Sequence, residues 1–188
     1  MNQCEQLFAY HEWANAKVLQ HLRSLPEGIL HQELQSVFPS VGATLAHTYL
    51  VDNIWLAAMH HLDNAVIYAS LSDWESEVKG ATIQDLEERF SRLAKRYRDF
   101  LSSLENLDEY SNYQHPIAGK LRARYSDIVQ HVVNHGTYHR GNITAMLRQM
   151  GYPGIATDYV WYLYSLEQED SRGEGGSDQA SLARSDKR

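Results

Sequence analysis

The four prolines of this 188-residue chain, Pro26, Pro39, Pro116 and Pro153, all fall outside four long stretches in which apolar residues recur three and four apart. Uninterrupted stretches of that period and length admit packed helices and little else. The first, Gln3 to Leu25, carries Leu7, Tyr10, Ala14, Val18 and Leu22 on one face. The second, Val41 to His61, is lined by Ala43, Leu50, Ile54 and Ala58, with Trp55 at the flank. In the third, Thr82 followed by Asp85 is an N-cap and acidic first turn, and the helix runs to about Leu104, burying Ile83, Leu86, Phe90, Leu93, Tyr97 and Leu101. Ser126 reads as the cap of the fourth, which stops near Met150 because Gly151, Pro153 and Gly154 follow.

The connections are less regular. Pro26 to Ser40 reads as a link holding at most a turn, and from Leu62 to Gly80 no period holds. Between Asn106 and Ala123 the Asp, Asn, Pro and Gly content rises, which fits a hairpin or irregular crossover turning near Pro116 and Gly119. A short aromatic segment, Asp158 to about Leu166, follows the fourth long helix. After it, residues 169–188 hold too few apolar side chains to offset ordering entropy and read as a disordered polar tail. The expectation is an all-α protein: one four-helix-bundle domain over residues 1–168, with a long crossover connection and a short C-terminal helical segment.

Charge narrows the partners. Seventeen Lys and Arg against 24 Asp and Glu give a net charge of −7, which repels phosphate backbones and anionic lipid, so no nucleic acid is expected as a partner. No apolar run approaches the ~20 residues that span a bilayer, so no membrane is expected either. A single cysteine, Cys4, without a secretory leader before it, points to the cytoplasm. Nothing in the sequence activates that thiol, and glycine-rich phosphate loops, nucleophile elbows and His-Glu-x-x-His motifs are absent.

Ten histidines remain to be explained. On an ideal helix at about 100° per residue, His135 and His139 fall about 20° to either side of Ile128, inside the stripe of Val132, Ile143 and Met146. His131 falls about 60° off that stripe, and Arg140 about 120° off, where a salt-bridge or interface role is expected of it. Histidines four apart can hold one ion; residues eight apart lie about 12 Å apart along the axis, so His131 and His139 cannot share one. A third ligand must come from another helix, and His47 stands among Ala43, Leu50, Val51 and Ile54, none of which can bond an imidazole. Three imidazoles around a divalent cation would leave a coordination position open, as catalytic sites do. The plainer reading is of core histidines bonded to neighbours. His11, His21, His31, His60, His61 and His115 are expected on surfaces or in loops, with His11 in reserve because it follows Tyr10 on the first helix.

The stretch His131-Val-Val-Asn-His135-Gly-Thr-Tyr-His139-Arg-Gly-Asn142, with Ala46-His47 and Tyr10-His-Glu-Trp13-Ala-Asn15 upstream, resembles the DinB (YfiT-like) family of metalloenzymes, which is unrelated to the DNA polymerase of that name. The resemblance runs from the first helix to about Leu166 and departs conservatively at Asn142, where the family usually shows glutamine. It implies a four-helix bundle, a divalent ion held by His47, His135 and His139, and a homodimer. Members with an assigned activity are thiol-dependent, so a small-molecule substrate and a low-molecular-weight thiol are the implied partners. An all-nitrogen site accepts zinc, nickel, iron or copper. Two functions fit: a metal-dependent transferase or hydrolase, and a non-catalytic or stress-associated protein whose ion only holds the bundle together.

Overall fold

A computed structural model describes residues 2–26, 28–115 and 117–168; the expected tail over 169–188 lies outside the described residues. They are largely helical: α1 (Gln3–Arg23), α2 (Val41–Met59), α3 (Asn64–Val78), α4 (Ile83–Ser103), the strands β1 (Tyr110–His115) and β2 (Gly119–Arg124), and α5 (Tyr125–Gln149). No described helix is long and apolar enough to cross a membrane.

The chain forms two compact units, Met1–Ile155 and a second that begins at Ala156. Within the first, α1 packs on α4 and α5, and α2 packs on the same two helices, so α1 and α2 stand diagonally across a four-helix bundle. Phe8, Leu19, Leu56, Leu86, Tyr97, Val132, Met146 and Leu147 fill its centre. In the second unit, residues 159–168 form a further helix, α6, whose Tyr159 and Tyr162 rings sit 6.0 Å apart.

Local signals account for the boundaries. Asn2 caps α1 and Thr82 caps α4, each in a reciprocal capping box, with Glu5 and Asp85 reaching back. The hairpin pairs Tyr110 with Arg124 through His115 with Gly119, and Gly119 takes φ +82° to close it. The α5 boundary differs from expectation. Arg124, not Ser126, occupies the cap position, with Asp127 accepting from its backbone N–H at 3.0 Å and its guanidinium at 2.6 Å, while Ser126 donates to Asp108. Those bonds hold the Asp127 carboxyl down at about 2. Because the folded group binds its proton less readily than the unfolded one, its contribution is present above about pH 4 and lost as pH falls toward 2. Urea titrations of wild type and Asp127→Asn should therefore differ at pH 7 and converge as pH falls toward 2; a constant gap would remove the cap from the account.

Two expectations about packing need correction. Residues 64–78, where no period holds, form α3, because only Ile67 and Val78 of that helix are buried, against α2, and a one-edged helix shows no stripe. In α2 the side lined by Ala43, Leu50, Ile54 and Ala58 is only half-buried. The fully buried side carries Thr44, Thr48, Asp52 and Asn53 beside Leu45, Tyr49 and Leu56. Thr48 donates to the Thr44 carbonyl at 3.0 Å and Asn53 to the Tyr49 carbonyl at 3.0 Å, so these polar residues satisfy themselves on their own helix and can face inward.

Candidate metal centre and the buried network beside it

His47 from α2 and His135 and His139 from α5 meet where those neighbouring helices touch. His47 Nε2 lies 3.1 Å from His135 Nε2, and His139 Nε2 lies 3.0 Å from the same atom. A ligand nitrogen from each ring lies within 4.8 Å of the others. His139 is buried and the other two half-buried, so one side of the cluster is open. Phe38 faces it with ring centroids 4.9 Å from His47 and 5.5 Å from His139, and the exposed Tyr138 stands 5.0 Å from His139.

The donor set fits a cation. A neutral imidazole nitrogen carries one proton or one lone pair, so His135 Nε2 can hydrogen-bond only one of its two neighbours. Ligands at ~2.0–2.1 Å from a tetrahedral ion stand about 3.3 Å apart, close to the spacings found. Burial first, then the neighbouring His139 and His47, hold His135 down at about 3. Burial also lowers His47 and His139, against a counter-pull from Asp52. All three rings are thus neutral near pH 7, with lone pairs to offer. The Asn142 amide lies 3.5 Å from His139 Nδ1; turned so that Oδ1 faces the ring, it accepts the Nδ1 proton and leaves the Nε2 lone pair inward.

The family profile of DinB matches residues 1–171. The chain belongs to the DinB family. Protein DinB of Bacillus subtilis (strain 168) is 41% identical to it over 164 residues, 87% of this chain and 95% of that one. In fold, this DinB-family protein is similar to a DinB-like protein from Bacillus cereus ATCC 10987, whose crystal structure superposes with a TM-score of 0.60 at 16% identity over 81% of this chain and 94% of that one.

His131, off the stripe as expected, is exposed and not part of the cluster; its ring lies 6.0 Å from His135 and 5.0 Å from Trp55. His21, His31 and His60 lie at or near the surface, and His115 accepts the hairpin's backbone N–H groups. Burial, then Asp108 and Glu5, push the Cys4 thiol up to about 11, which leaves it no thiolate at neutral pH.

The histidine expected on the surface is not there. His11 is 2% exposed, and its Nε2 stands 3.0 Å from Asp52 Oδ2 across the bundle. Arg140, expected away from the core, is 4% exposed. Its guanidinium donates to Asn15 Oδ1 at 2.9 Å, Thr137 Oγ1 at 2.8 Å and Tyr10 Oη at 3.3 Å, and stands 3.5 Å from His11 Nδ1. Arginine only donates, so His11 Nδ1 must accept and Nε2–H donates to Asp52. That tautomer suits two of the ring's three polar contacts; the opposite one suits only Asn15 Nδ2, 3.0 Å from Nε2. Gly136 makes room for the ring, since a Cβ there would lie 2.4 Å from His11 Cε1. The corrections share one cause: α5 packs on both α1 and α2, so it has two inward faces, and a single stripe centred on Ile128 describes only one. A signal was available in α2, whose one charged residue is Asp52.

Proposed function

We propose that this protein is a metal-dependent enzyme of the thiol-transfer or hydrolase type, with a divalent ion on His47, His135 and His139 and one position left for a small-molecule ligand. The observation that carries the reading is the convergence of three neutral Nε2 atoms on a point that is open on one side. A divalent cation bound there supplies Lewis acidity, enough to hold a thiol or water as its anion near neutral pH. The protein's own residues do the rest. The three rings bring no charge and so leave the full positive charge for the ligand. Phe38 and Tyr138 stand against the cluster and offer aromatic surface to a ligand. Asp52 adds negative potential at the cluster without belonging to it. Substrate, thiol and homodimer are parts of this proposal, supported by the family resemblance, and so is a cytoplasmic location, supported by the single cysteine.

Cobalt(II) substitution tests it. The visible spectrum of the cobalt protein should shift on adding a small thiol such as 2-mercaptoethanol, and His47→Ala should lose the spectrum while keeping its helical circular dichroism. A spectrum indifferent to thiol and azide, on a protein that melts earlier without metal, would support a structural ion and sink the catalytic reading.

A further inference from the structure

The two stretches of chain that carry the clustered histidines are almost free of formal charge. Between Glu33 and Asp52 there is no Lys, Arg, Asp or Glu, and between Asp127 and Arg148 there is only Arg140. Arg140 is 4% exposed, and its terminal nitrogens bond Asn15, Thr137 and Tyr10 inside the bundle, so it is not placed to receive a ligand at the cluster. Apart from the histidines themselves, the charged group that acts on His47, His131 and His139 is Asp52, itself 3% exposed. The half-buried Asn142 beside the cluster is uncharged and has its amide 3.5 Å from His139 Nδ1.

What these stretches offer instead is aromatic and apolar surface. Phe38 lies 4.9 Å from His47 and 5.5 Å from His139, and Tyr138, 59% exposed, lies 5.0 Å from His139. Val37, next to Phe38 in the chain, is 63% exposed. One turn back along α5, the exposed His131 meets Trp55 at 5.0 Å and His135 at 6.0 Å. One exposed apolar side chain means little; rings from the segment before α2, from α2 and from α5, gathered at one donor cluster with no accessible charge, select a ligand. We infer that the molecule taking the open position carries an uncharged, ring-bearing body, so that its one ionisable group is the one the ion receives. This deepens the proposed function and rests on it. A charged body would lose water against Phe38 and Tyr138 with no opposite charge to meet it. A second anionic group also meets the negative potential of Asp52, and an ammonium group is repelled by the ion. Sites that select phosphate or carboxylate present reachable arginine or lysine, which neither stretch supplies. An aromatic body gains offset or edge-to-face contacts with rings already in place.

Titrating the cobalt(II) form of the full chain with benzyl mercaptan, 2-mercaptoethanol and 4-(mercaptomethyl)benzoate tests this, since all three are primary thiols that differ in the body attached. Benzyl mercaptan should shift the visible spectrum at about tenfold lower concentration than 2-mercaptoethanol, the effect of one or two ring contacts, and at lower concentration than the benzoate. Phe38→Ala should bring benzyl mercaptan and 2-mercaptoethanol to within about threefold of each other. Tyr138→Arg should place the benzoate ahead of benzyl mercaptan, because it supplies the missing cation. Tyr138 is exposed, so this second variant decides the matter should Phe38→Ala fail to hold cobalt. Equal affinity for benzyl mercaptan and 2-mercaptoethanol in the wild type, a benzoate bound as tightly as benzyl mercaptan, an advantage that survives Phe38→Ala, or an order unchanged in Tyr138→Arg would overturn the inference and leave the metal reading standing. A spectrum indifferent to all three thiols sinks the proposed function, and this inference with it.

Discussion

Asp52→Ala should destabilise the protein by about 1–3 kcal/mol, the range for leaving a buried hydrogen-bond donor unsatisfied, and Asp52→Asn by less. The effect comes from what is left behind. Asp52 and Arg140 are both within the bundle, 3% and 4% exposed, and the His11 ring stands between them, Nε2 toward the carboxylate and Nδ1 toward the guanidinium. Without the carboxylate, Arg140 keeps its bonds to Asn15, Thr137 and Tyr10 but loses the opposing charge. Burial already lowers its proton affinity, and Tyr10 and Asp52 are what pull it back. The His11 Nε2 proton is orphaned at the same time. Asparagine keeps an oxygen for that proton, so it recovers the hydrogen bond but not the charge. Pairing Asp52→Ala with Arg140→Met should recover much of the loss, since the unpaired cation goes with it. Chemical denaturation of Asp52→Ala, Asp52→Asn, Arg140→Met and the Asp52→Ala, Arg140→Met double variant measures this. Additive losses in the double variant would mean that the two charges are not coupled through His11.

This network also marks where the sequence stopped being informative. The proline-free stretches, the Thr82 and Asp85 capping box and the turn at Gly119 rest on local signals, and local signals place α1, α4, α5 and the hairpin. His135 and His139 were legible because both lie on the face of α5 centred on Ile128, and that face packs against α2. His11, Asn15 and Arg140 lie on the surfaces where α1 and α5 face each other, and no periodicity in one helix reveals a polar contact with another. Thr44, Thr48 and Asn53 were hidden for a different reason: each bonds a carbonyl one turn back, so an inward position costs them little. The helix α3 was invisible because one edge is all it buries.

Metal content should separate the three clustered histidines from the rest by the largest margin. Protein purified without tag or chelator should carry near one equivalent of divalent metal, and His47→Ala, His135→Ala and His139→Ala should each carry almost none. The two imidazoles left in each variant, both on α5 or one each on α2 and α5, have lost a bond and the three-point geometry that holds the ion. His131→Ala should keep its metal, because its ring stands 6.0 Å from His135 and outside the group whose nitrogens converge. Stability runs the other way. In metal-free protein, His135→Ala should cost little or even stabilise, because His135 Nδ1 is buried with no hydrogen-bond partner among the described residues and burial opposes the ring's charge. Added zinc should then raise the melting temperature of wild type but not of the three variants, since a ligand bound only by the folded state stabilises by mass action. Metal retained in all three variants would move the ligands elsewhere. Metal lost from His131→Ala as well would enlarge the centre beyond the three convergent rings.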